Sequence, residues 1–133
     1  MRTLGQERSE YALKEILQVV EKFKNMKEFA SFTSGVPSMI LQNGFGQTLA
    51  FIYSKRKNNK EDKYNIILEI IKKWLERKNF LNKAEDIHGM ILNISNLNQK
   101  EYLAAQKETL SLLEWVKRYA QAFKEETQND TSS

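Results

Sequence analysis

The chain has 133 residues, 21 Lys+Arg against 17 Asp+Glu, a formal net charge of +4 and no cysteine. That length predicts one domain, large enough to bury a core without covalent staples. The lack of cysteine excludes a disulfide framework and any Cys-ligated metal, and it suits a reducing cytoplasm. The charged opening MRTLGQERSE has no apolar stretch of the kind a signal peptide carries.

Thr3 to about Phe29 reads as one long amphipathic helix. Leu4, Tyr11, Ile16, Val20, Phe23, Met26 and Ala30 recur at helical spacing, with Arg8, Glu15 and Lys22 on the opposite side. Ser31–Gly35, rich in small residues, reads as a loop. Between Glu28 and Lys55 no Asp, Glu, Lys, Arg or His occurs, and this stretch holds the only proline and three of the five glycines. It predicts a central helical hairpin, Pro37–Asn43 followed by Gly46–Ser54. Pro37 suits a first helical turn, where its missing N–H costs nothing, with Ser34 as the cap upstream. Asn43–Gly44 reads as a helix stop, Gly44 supplying the left-handed residue after the C-cap. A membrane span is excluded: Pro37, Gly44, Gly46, Gln42, Asn43 and Gln47 interrupt a run that would need about 20 apolar residues.

The polar run KRKNNKEDK follows, with Asn58–Asn59 as a helix breaker. Asp62 is placed to cap a helix over Tyr64–Lys78, in which Ile67, Ile70, Ile71, Trp74 and Leu75 face inward and Glu69, Lys72, Lys73, Glu76 and Arg77 face out. Asn79–Asp86 is a connector and Ile87–Asn93 a short helix. Asn98 with Glu101 resembles a capping box opening a last helix from about Gln99 to Glu125. Its inward face is Tyr102, Ala105, Thr109, Leu112, Leu113, Val116, Ala120 and Phe123. No alternating strand pattern appears. The prediction is an all-α, single-domain helical bundle of about six helices over residues 1–126. Long N- and C-terminal helices pack on each other, and residues 127–133 form a disordered tail.

Charge is unevenly spread. From Lys55 to Lys83 there are ten basic and four acidic side chains. This is either a solvated face and loop or a surface for an anionic partner such as a nucleic-acid backbone. Little suggests catalysis. His88 is the only histidine and reads as a capping or surface residue. No phosphate-cradling glycine motif is present, and no nucleophile stands beside a base. Glu108, Glu114, Glu125 and Glu126 read as solubilising charges on the last helix. Trp74 and Trp115 lie on apolar stripes and read as core, so the chain lacks the exposed aromatics of a base-stacking platform. Contact with nucleic acid would then be electrostatic, through phosphates. No cofactor and no metal are expected.

Three stretches together resemble one family. Arg2, Gln6, Arg8 and Ala12 fit its opening pattern. Pro37, Ile40, Asn43, Gly44, Phe45, Gln47, Ala50 and Phe51 fit its central P-x-x-I-x-x-N-G-[LF]-x-Q-x-x-A-F pattern. Tyr102, Glu108, Leu110, Trp115, Val116, Lys117, Arg118, Tyr119 and Ala120 fit its last helix. The family is the small helical subunit of the type III-B CRISPR RNA-silencing effector, the Cmr complex. The resemblance implies an all-α, non-catalytic protein of the cytoplasm, acting in antiviral defence. It implies copies stacked head to tail as a minor filament beside a backbone subunit, helping to form the groove where guide RNA and target RNA pair. Candidate RNA-binding residues are Lys117 and Arg118, within the third pattern. Arg2, Arg8 and Lys14 on the first helix come next, then Lys55 and Arg56 at the exit of the central hairpin. Asn43, Gly44 and Trp115 are assigned to turn and core. Two other readings compete: a stand-alone helical protein–protein adaptor without RNA binding, and a metal-dependent nuclease.

Overall fold

The computed structural model describes residues 1–57 and 61–126. The helix break expected at Asn58–Asn59 and the tail expected at 127–133 lie outside the described residues. The described residues form six helices: α1 (Leu4–Lys22), α2 (Met26–Asn43), α3 (Phe45–Lys55), α4 (Lys63–Arg77), α5 (Ile87–Ser95) and α6 (Gln99–Ala122). No strand occurs among the described residues, so the all-α expectation holds. The helices fall into two compact units, Met1–Pro37 with the chain from Ser111 onward, and Ser38–Leu110.

Two boundaries differ from the sequence reading. The long first helix stops at Lys22. Phe23 turns extended (φ −91°, ψ 129°) while its N–H still bonds the Val19 carbonyl. Asn25 starts a new helix there, its Oδ1 accepting from the Glu28 N–H at 3.0 Å. Phe23 then lies against Phe29, ring centroids 5.6 Å apart, much as a hydrophobic staple fixes the entry of a chain into a helix. The second difference is that Ser31–Gly35 is no loop. Helix α2 runs through it and through Pro37, so Ser34 caps nothing and Pro37 sits mid-helix. An interior proline costs about 3 kcal/mol. Burial offsets it: Met26, Phe29, Ala30, Thr33, Val36 and Ile40 are all at most 1% exposed, one continuous helical stripe spanning the small-residue run.

In the first unit, α1 buries Tyr11, Ala12, Ile16 and Val19, and the end of α6 buries Leu112, Leu113, Val116 and Ala120. A 2.6 Å hydrogen bond joins Ser9 Oγ to the Tyr119 hydroxyl, so the two terminal helices do pair, as expected. Thr3 opens α1 with a full capping box, its side chain accepting from the Gln6 N–H.

In the second unit α3, α4 and α5 pack on one another. Gly44 makes the reversal between α2 and α3 with φ 90° and ψ 159°. That conformation lies beyond the expected left-handed helical region, in territory open essentially to glycine alone. Gly46 lets α6 come close: its N–H donates to the Tyr102 hydroxyl at 2.8 Å, and a Cβ there would meet that oxygen at 3.3 Å. Asp62 caps α4 as predicted, accepting from Asn65 N–H at 2.9 Å. Asn98 and Glu101 form the predicted reciprocal box at the start of α6. Asp86, unremarked in the sequence, caps α5.

Two polar groups assigned to solvent are interior. Lys72 is 8% exposed and Glu108 4%. Lys72 Nζ pairs with Glu76 at 3.2 Å, and Glu76 also accepts the Ala84 N–H at 3.0 Å, tying the α4–α5 connector down. Glu108 accepts from the Trp74 indole N–H at 2.8 Å. Glu108 is therefore a buried acceptor for a core tryptophan rather than a solubilising charge, as a buried carboxylate requires a donor.

Candidate nucleic-acid interface

Helix α6 presents Lys117 and Arg118 because Val116 and Ala120 on its other side are fully buried, which fixes the rotation of the helix. The two cations line an open groove of about 540 Å³ with Ser34 and Gln121. The Gln121 amide donates to Ser34 Oγ at 2.8 Å, pinning the first half of α2 to the end of α6 beneath the charges. Lys117 Nζ lies 3.4 Å from Glu114 with a third of its side chain exposed. Arg118 is exposed and has no ion-pair partner among the described residues. Trp115, expected in the core, is only half-buried and stacks on Tyr119 with centroids 6.0 Å apart.

The α1 candidates belong to the same unit. Arg2 donates to Glu10 at 2.7 Å and Lys14 approaches the other oxygen at 3.4 Å, so both cations converge on one carboxylate. The Arg2 hydrogen bond, with Lys14 behind it, holds Glu10 below the usual carboxylate range, and Glu10 in turn raises Arg2. Part of their charge is spent on each other. Arg8 is half-buried, next in sequence to the Ser9 that bonds Tyr119.

Lys55 and Arg56 end α3 in the second unit. Lys55 Nζ sits 5.5 Å from the Phe51 ring centroid, and Arg56 lies over Tyr53 at 4.1 Å. Phe51 is 48% exposed. The expectation that no exposed aromatic stands among basic residues is therefore corrected here. The i,i+4 spacing of Phe51–Lys55 on one helix carried that information. The basic excess of Lys55–Lys83 is smaller at the surface than along the chain: Lys72 is buried in its pair, and Lys63 and Lys78 lie over Tyr64 and Trp74.

No group of three or more His, Asp or Glu that could hold a metal exists among the described residues. His88 is exposed, 3.5 Å from Asp86. No described helix is long and apolar enough to cross a membrane. The fold and surface thus define a small all-helical protein with an open basic groove on its last helix.

The family model described as CRISPR-associated protein (Cas_Cmr5) matches residues 4–123. The chain is 27% identical over 132 residues to the CRISPR system Cmr subunit Cmr5 of Thermotoga maritima, covering 99% of this chain and 93% of that protein. Its fold matches the crystal structure of a CRISPR-associated Cmr5 family protein from Thermus thermophilus, with TM-score 0.73, 24% identity, and 92% and 97% of the two chains covered; at that identity the likeness speaks for the fold alone. The chain belongs to the Cmr5 family, the small helical subunit of the Cmr complex, as its three sequence patterns suggested.

Proposed function

We propose that the chain is a non-catalytic structural subunit of a type III-B CRISPR (Cmr) effector complex in the cytoplasm. Several copies stack as a minor filament beside the backbone subunit and offer basic surface to the backbones of guide RNA and target RNA, in antiviral defence. The observation that carries this reading is the groove of Lys117 and Arg118 on the helix that also bears the third family pattern. A filament of heterologous contacts repeats one such groove along a nucleic acid. Each cation near a phosphate releases counterions, so a contact that is weak in one subunit becomes strong in the assembly. Sequence is left to base pairing, which asks the protein to recognise only backbone and shape.

The test is RNA binding by the purified protein across a salt series, parent against Lys117→Glu/Arg118→Glu. The parent binds more weakly as salt rises. The double variant loses affinity at low salt and has a slope shallower by about 2. A variant that binds RNA and protects target RNA in the assembled complex as well as the parent does would show the site to be wrongly placed.

A further inference from the structure

The end of α3 differs in kind from the groove on α6. Beside it lies a second groove of about 520 Å³, lined by Tyr53, Arg56 and Lys57 on one side and by Glu69, Glu85 and His88 among others. Its volume is in the range of small-ligand sites. Its charge is mixed, and the carboxylates of Glu69 and Glu85 would repel a phosphate. An uncharged, flat group whose edge carries N–H donors meets no such penalty: its face can lie on an aromatic ring or a guanidinium plane, and its edge can donate to a carboxylate. A nucleobase is such a group, and only an unpaired base exposes both face and edge. The stack is already built, since Arg56 covers Tyr53 at 4.1 Å.

We propose that this groove takes an unpaired base of single-stranded RNA, stacked on the Tyr53–Arg56 pair. The proposal rests on the reading that the chain meets RNA. It adds what an electrostatic contact lacks, a preference for single strands over duplex.

The test uses the full chain and a single-stranded oligouridylate carrying 5-iodouridine, irradiated and mapped by mass spectrometry, beside affinities for single strand and duplex. The adduct is expected on the peptide containing Phe51 and Tyr53. Tyr53→Leu lowers single-strand affinity about tenfold and leaves duplex affinity and the salt slope unchanged. Arg56→Lys, at an exposed position that puts folding at no risk, keeps the charge, removes the flat guanidinium and shifts affinity the same way. Adducts confined to the peptide containing Lys117 and Arg118, or equal losses for single strand and duplex, would overturn the base site while leaving the RNA-binding reading intact. Absence of any RNA binding by the parent at low salt would sink both.

Discussion

The two compact units use charge in opposite ways. In the first, charged groups stay at the surface: Arg2, Glu10 and Lys14 form an exposed cluster, and Lys117 and Arg118 line an open groove. In the second, some charged groups go inside. Lys72 and Glu76 pair with side chains only 11% and 12% exposed, and Glu108 holds the Trp74 indole. The segment richest in basic residues along the sequence thus uses part of its charge to hold itself together. Charge density along a chain is a poor guide to charge presented at a surface, because a helix can turn a lysine inward whenever a carboxylate one turn away meets it.

The sharpest way to break that contrast is to unpair the interior. Lys72→Ala leaves Glu76 buried without its cation and should cost about 3 kcal/mol in denaturant unfolding. By contrast Lys117→Ala, which breaks a partly exposed pair, should stay within about 0.5 kcal/mol of the parent. If the two variants unfold alike, the interior pair is no more structural than the surface one. Trp74→Phe is next. It removes a buried donor to Glu108 together with part of the indole ring, and should lower stability by about 2 kcal/mol. Smallest is Arg2→Ala. Glu10 is held low by Arg2 and then Lys14, so its contribution is fully present above the ordinary carboxylate range and is lost as pH falls through its depressed value. In the variant a carboxyl NMR titration should find Glu10 moved up toward that ordinary range, with stability near neutral pH almost unchanged; an unmoved titration would show that Lys14 alone sets it.

Much of the fold was legible in the sequence, and the misses have physical causes. The caps at Asp62 and Asn98 were readable because short polar side chains precede apolar stripes. The Phe23–Asn25 break was hidden because Val20, Phe23, Met26 and Ala30 keep helical spacing across it, although Asn25 and Glu28 have the same offset as Asn98 and Glu101. Ser31–Gly35 looked like a loop because four of its five residues are Ser, Thr or Gly, yet Ala30, Thr33, Val36 and Ile40 keep one face apolar through it, and burial outweighs propensity there. Lys72 and Glu108 could not be told from solvent-facing residues, since burial of a paired charge depends on which helix lies opposite. Of the candidate groove, Lys117 and Arg118 were named from the pattern they sit in. Ser34 and Gln121 were not, because their bond joins positions distant in sequence.

The chain has two tryptophans, and each unit holds one. Trp74 in the second unit is 1% exposed and bonded to a carboxylate, while Trp115 in the first is half-open beside the basic groove. Their fluorescence should therefore separate into a blue, shielded emitter and a redder, quenchable one. Removing either indole leaves a built-in optical probe of a single unit, so that melting of one half, or arrival of a ligand at Lys117, could be followed without attaching a dye.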